Sequence, residues 1–314
     1  MKIKKLLGIV LGAGALALSL ASCGAKDDYK ITVVAPQGAP AVAVANLAID
    51  DKDNYSFINA NNISEQFTAN DKDIIIAPVN AGAKLYKAGK STYKLGAVVT
   101  WGNLYFATRR TDVTSIDDLA DKTVTLFGEN TINASLARHV LNGKNITANY
   151  TYVGSAEDTK NLLASDANAI VMTAEPALTA VSNQLKQQNI NVTSFAISEL
   201  YKEVSENSEF TQAALFIKAD TIENHKKKLD EFLIKVKESC DLVASDVEKT
   251  ANNVIALGNT GLPSALPVLK VALPKCNIKY VSAVDAKSAL EKTAEIDIAQ
   301  FGGANPSDDF YYNK

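Results

Sequence analysis

The chain has 314 residues, a formal net charge of −3 and 47% hydrophobic residues, enough for one large globular domain or two smaller ones. Its mild acidity, with arginine only at Arg109, Arg110 and Arg138, argues against a nucleic-acid partner, because phosphate binding relies on clustered basic side chains. There are 2 histidines, no P-loop and no G-x-S-x-G elbow, so metal, nucleotide and serine-hydrolase chemistry lack support; the reading is no enzyme and no cofactor.

The first element is an export signal. Lys2, Lys4 and Lys5 precede an apolar run from Leu6 to Leu20 that is too short for a stable membrane span. The run ends in Leu20-Ala21-Ser22-Cys23-Gly24, which resembles the bacterial lipoprotein lipobox. That resemblance implies a signal peptide over 1–22, acylation of Cys23 (palmitate among the expected chains) and a polar tether over 23–29. The mature chain would then sit on the extracytoplasmic face of the cell membrane, held there by its lipid. An ordinary signal with a coincidental cysteine is the alternative.

Strand, loop and helix patterns then alternate. Ile31 to Ala35 is a compact apolar run, Pro36-Gln37-Gly38-Ala39-Pro40 is a turn, and Ala41 to Ile49 is Ala- and Leu-rich and helical. The unit recurs at Asp73 to Ala77 with a helix from about Asn80, and at Thr123 to Phe127 with a helix ending near Leu141. Ala169 to Met172 followed by a helix to about Gln187 repeats it again. Such βα units with wholly apolar strands predict parallel sheets covered by helices. Further on, Asp220 and Glu223 have the spacing of a capping box, and Leu229, Phe232, Leu233, Val236, Cys240 and Val243 share one helical face. Helices are also predicted over Val247 to Leu257 and Ala283 to Ala299, and the Phe-Tyr-Tyr cluster of the 306–314 tail is expected to pack down.

A family resemblance rests on this order together with the segments "DIIIAPVNAGAKLY" and "DLADKTVTLFGENTINASLARHVL". The chain resembles type II substrate-binding proteins of bacterial ABC importers, within them the nitrate, sulfonate and thiamine-precursor group. The resemblance covers about Lys30 to Ala299. It implies an α/β, two-lobe periplasmic-binding-protein type II fold, each lobe a mostly parallel sheet flanked by helices, with two hinge crossovers. The boundaries it suggests are 30–108 plus 217–314 for lobe I and 109–216 for lobe II. The crossovers would lie near Phe106 to Asp112 and Thr211 to Ala219. The implied role is a monomeric, lipid-anchored receptor that passes a small molecule to an ABC permease driven by its ATPase. A surface sensory or adhesion lipoprotein on the same fold, or an exported enzyme with a dispersed site, are the rival readings.

In open α/β sheets ligands bind beyond the C-terminal strand ends, which selects the candidate residues. Gln37, Gly38 and Ala39 precede a helix whose free amides suit a polar or anionic group, although a turn that merely needs glycine has the same sequence. Glu129, Asn130 and Thr131 hold the equivalent place in the second lobe, where capping alone would explain Asn130 or Thr131. Asn80 reaches a cleft or caps its helix. Trp101, beside Gly102 and Asn103, stacks on a ligand or covers the sheet edge. Glu175, before Pro176, would accept from a donor-rich ring and so favours a nitrogen-rich heterocycle such as a thiamine precursor; a first-turn glutamate serving the helix dipole is the plainer reading. Cys240 and Cys276 form a disulfide or stay as buried thiols.

Overall fold

The computed structural model describes residues 28–206 and 208–313. The signal peptide, Cys23 and the tether before Asp28 lie outside the described residues. In chain order the first elements are β1 (Val33–Pro36), α1 (Ala39–Ala48), β2 (Tyr55–Ile58), α2 (Ile63–Ala69), β3 (Ile74–Pro78), α3 (Val79–Lys87) and β4 (Lys94–Thr100). Then come β5 (Leu104–Thr108), β6 (Thr123–Phe127), α4 (Ile132–Gly143), β7 (Asn149–Val153), α5 (Ala156–Ser165), β8 (Ile170–Ala174), α6 (Ala177–Lys186), β9 (Thr193–Ala196) and α7 (Ile197–Val204). The last third holds β10 (Ala213–Ile217), α8 (Ala219–Asn224), α9 (Lys226–Ser245), α10 (Val247–Leu257), α11 (Leu266–Ala272), β11 (Ile278–Ser282) and α12 (Ala283–Ile296).

Two sheets organise these elements. The first has the order β11-β4-β10-β3-β1-β2 and the second β7-β6-β8-β5-β9. Strands in the middle of the first sheet are covered on both faces, which is why they are unbroken apolar runs. Val34, Ile75, Ala77, Ala214 and Phe216 enter one core, while Val33, Ile74, Ile76, Leu215 and Ile217 enter the other with α1 and α9. The second sheet sends Phe106, Val124, Leu126 and Met172 towards α4 and α7, and Ala107 and Val171 towards α5 and α6.

Both sheets are mixed, where the repeated βα units suggest mostly parallel ones. β1 is parallel to β2 and β3, but β10 runs antiparallel to β3 and β4, and β11 antiparallel to β4. Likewise β6 is parallel to β7 and β8, while β5 is antiparallel to β8 and β9. The reversed strands include β5 and β10, where the chain enters one sheet from the other.

Those entries also move the lobe boundaries. β5 belongs wholly to the second sheet, so the first crossing is residues 101–103 and not the stretch from Phe106 to Asp112. β10 lies wholly in the first sheet, which places the return crossing before Ala213. Gly102 makes the first crossing possible: its φ is +74°, and a Cβ there would lie 2.5 Å from the Phe210 ring of the second crossing. The two connections are thus packed against each other.

The expected capping box at Asp220 does not form. Lys218 is the N-cap of α8, and Asp220 instead accepts from the Asn224 side-chain amide at 2.7 Å within that helix. Cys240 and Cys276 are both buried and free. The terminal aromatics do pack down: Phe310 is fully buried against Tyr86 and Phe216, and Tyr311 bridges to Leu95 of β4.

Candidate functional site

A cleft of about 930 Å³ lies between the sheets, where the C-terminal ends of β1, β3, β4, β6 and β8 meet the start of β10. Of the residues expected at the site, Gln37, Gly38, Ala39, Asn80, Asn103, Thr131 and Glu175 line it.

The β1–α1 loop is held by the protein itself. The Gln37 and Gly38 amides donate to the carbonyls of Ile58 (2.8 Å) and Thr260 (2.9 Å), and the Gln37 side chain donates to the Asn259 carbonyl at 3.1 Å. Gly38 has φ +100°, open to glycine and strained for other residues. Two of the three amides expected to face a ligand are therefore engaged. Among the described residues, the Ala39 amide has no such partner and opens α1.

Three helix N-termini at the cleft have no side-chain cap, although Val79 of α3 donates to the Gln212 carbonyl and Ala41 of α1 to the Gly38 carbonyl, both at 3.1 Å. Gly38, Pro78 and Thr131 are the N-caps of α1, α3 and α4; none supplies a capping side chain, and none of these helices has an acidic residue in its first turn. The Thr131 hydroxyl donates backwards to the Gly128 carbonyl at 2.7 Å instead of accepting from its helix. α5 and α6 also begin at the cleft but carry their own anions: Ser155 and Asp158 form a reciprocal capping box, and Glu175 serves α6. Partial positive charge at a bare N-terminus is left for a ligand to neutralise. Apart from Glu175, the charged side chains lining the cleft are Glu157 and Lys160, which pair with each other.

Glu175 does not offer its carboxylate to the cleft. Its side chain has 0% exposure; Oε2 accepts from the Thr179 amide at 3.0 Å, Oε1 from the Thr179 hydroxyl at 2.9 Å, and Lys275 Nζ stands 3.9 Å away. Burial raises its carboxyl above the usual carboxylate range, opposed by the two Thr179 bonds and Lys275. The plainer reading, a glutamate serving its own helix, accounts for these contacts, and the case for a donor-rich ring loses its acceptor.

Trp101 also departs from expectation. It is 7% exposed, its indole Nε1 donates to the Lys279 carbonyl at 2.9 Å, and Lys279 Nζ lies 4.6 Å from the ring centroid. It lines a separate crevice of about 170 Å³ with Phe210, Pro274 and Lys279, and it is absent from the cleft wall. Glu129 and Asn130 stand exposed in the β6–α4 loop, outside the cleft, with Thr131 alone turned inwards.

Asn103 is 4% exposed at the crossing and joins the lobes. Its amide donates to Gln212 Oε1 at 3.0 Å, its Nδ2 to the Glu175 carbonyl at 2.8 Å, and its carbonyl accepts from the Glu175 amide at 2.9 Å. Sequence reading missed Gln212, Ser155, Lys160 and the Gly261 loop, all in the cleft wall. The Ser155-x-x-Asp158 spacing was a usable signal for the start of α5. Nothing local marks Gln212, which gains its place only when β10 inserts beside β3.

No protein-family model and no curated protein matches the chain. Solved structures do. An ABC transporter from Parabacteroides distasonis is 20% identical with a TM-score of 0.75, over 91% of this chain and 100% of that one. The periplasmic aliphatic sulphonate binding protein from Escherichia coli is 14% identical with a TM-score of 0.65, over 90% and 92%. The alkanesulfonate-binding protein from Xanthomonas axonopodis pv. citri, bound to MOPS, is 12% identical with a TM-score of 0.58, over 86% and 92%. Likeness at these identities is likeness of fold, and the fold of this chain is that of the periplasmic binding proteins.

Proposed function

We propose that the chain is the solute-binding component of an ABC-type importer, capturing a small oxoacid anion in the cleft and presenting it to a permease. The observation that carries this reading is the cleft with three uncapped helix N-termini, two from the first lobe and one from the second. An anion touching both lobes favours the closed form by its differential affinity, which is how occupancy reaches a transporter. Two of the similar structures are named for sulfonate binding, and a sulfonate presents an oxoacid of the required kind. The heterocycle expected from Glu175 is set aside, since that carboxylate is sealed on Thr179. Acylation of Cys23 would keep the receptor at the membrane, and binding without turnover is expected of it.

A thermal-shift panel on the mature domain tests the reading. Nitrate, phosphate, alkanesulfonates, short carboxylates and aminated heterocycles are the probes; a ligand at about a hundred times its Kd stabilises by roughly 2.7 kcal/mol. Stabilisation by uncharged heterocycles alone would refute the anion assignment, and conversion of a stabilising probe would make the chain an enzyme.

A further inference from the structure

The floor of the cleft carries oxygens with no partner. Asn80 Oδ1, Thr100 Oγ1 and Asn103 Oδ1 are buried without a hydrogen bond from the protein, and all three residues line the cleft. Asn103 and Thr100 are 4% and 1% exposed. The identity of the Asn103 atom is set by its neighbour: the other end of the amide points at the Glu175 carbonyl, which can only accept, so that end is the NH₂ and the orphan is the oxygen. The Gln212 side chain is fixed in the same way: its Oε1 accepts the Asn103 backbone amide, so its other end is the NH₂.

These groups form one surface. Pro78, Ala213 and Thr100 are in register across β3, β10 and β4, Val79 donates to the Gln212 carbonyl at 3.1 Å, and Gln212 donates to the Thr100 carbonyl at 3.0 Å. The N-terminus of α3, which has no side-chain cap, stands at one side of this surface and Thr100 at the other, two interstrand spacings or roughly 10 Å away. The two amide oxygens can only accept, and the Thr100 hydroxyl can accept or donate, so this floor, with no carboxylate free on it, suits a neutral hydroxyl or N–H group. A buried acceptor left unpaired is costly, so a ligand that satisfies it is favoured over one that does not.

Resting on the oxoacid reading, we infer that the ligand is a short bifunctional oxoacid carrying a neutral O–H or N–H donor about two to four bonds from the acid group. The acid end lies at the helix N-termini and the donor end at the Thr100–Asn103 floor. Bare nitrate and simple alkanesulfonates then fill only half of the site.

Calorimetry with ethanesulfonate and 2-hydroxyethanesulfonate isolates the donor, because the pair differs by one hydroxyl at equal charge. Propionate and 3-hydroxypropionate repeat the comparison on a carboxylate. The hydroxylated member should bind roughly ten-fold tighter or more. Thr100→Val, which removes an unbonded hydroxyl from a strand position that accepts valine, should bring the ratio close to one, and Thr100→Ser should retain the preference. Equal affinities within both wild-type pairs overturn this inference and leave the oxoacid reading standing, as does a ratio unchanged in Thr100→Val, which would assign the preference to an ordered water or another group. No binding of any of the four probes, in a protein that other solutes stabilise, overturns the oxoacid reading and this inference with it.

Discussion

Thr131→Asp separates the ligand's charge from the integrity of the fold. Thr131 is the N-cap of α4, with extended φ and ψ of −122° and 158°, yet its hydroxyl is turned to Gly128 and leaves the helix uncapped. Aspartate is among the best N-cap residues and also complements the helix dipole, so the free protein should gain about 0.5–1 kcal/mol. A carboxylate at that point would face a bound anion across the same amides. Two like charges about 4 Å apart repel by about 1 kcal/mol in water and about 4 kcal/mol at an effective dielectric of 20, so affinity should fall at least about five-fold and by far more if the cleft excludes water. Stability and binding then move in opposite directions, which damage to the fold cannot produce. Thr131→Asn is the control: it caps the same amides without charge, so it should stabilise comparably and cost less affinity than Thr131→Asp, the difference being the charge. Thermal unfolding without ligand and calorimetry with the tightest oxoacid of the panel give the two readouts. Wild-type affinity in Thr131→Asp would refute the placement of the anion at α4.

Glu175→Gln should leave oxoacid affinity within about two-fold, because the carboxylate is turned away from the cleft. Its stability effect carries a sign in pH: the folded carboxyl is raised, so the native state holds its proton more tightly than the unfolded chain, and that stabilisation is complete below about pH 4.3 and lost as pH rises through the folded value. The Tm of Glu175→Gln relative to wild type should therefore climb as pH rises above about 4.3, and a gap independent of pH would contradict the buried carboxyl. Trp101→Ala should cost about 3–5 kcal/mol of stability, measured by denaturant unfolding, since a nearly buried indole and its bond to Lys279 are lost; an unchanged midpoint would contradict the packing described. Cys23→Ser should abolish acylation and release the protein or retain its precursor, and mass spectrometry finding an unmodified Cys23 in membrane-extracted wild type would refute the anchor.

Much of the element order can be read from residues alone, because central strands such as Ile74–Pro78 are covered on both faces and so form unbroken apolar runs beside glycine or proline turns. Edge strands are less legible: Asn149–Val153 is largely polar and half-exposed, and no apolar run announces it. Lobe boundaries were harder still, since Leu104–Thr108 looks the same whether it continues the first sheet or begins the second; only its pairing with β8 and β9 decides. The site divides similarly. Loop residues at strand ends, such as Gly38 and Asn80, follow from topology. The direction of a side chain does not: Glu175 folds back onto Thr179, and Trp101 turns to Lys279, through contacts with residues far along the chain or one helical turn on.

The two sheets differ in when they can be completed. All strands of the second come from one continuous stretch, Leu104 to Ala196, so its pairings need no later part of the chain. The first gathers β1 from residue 33, β10 from residue 213 and β11 from residue 278, and Tyr311 adds a last bridge to Leu95. A chain made from its N-terminus can therefore finish the second lobe during synthesis, while the first stays open until nearly the final residue has emerged. Such long-range pairing is slow to form, and β4, whose strand partners are β10 and β11, waits unpaired in the meantime. The half of the fold that begins at the N-terminus is thus closed by the residue furthest from it, Tyr311.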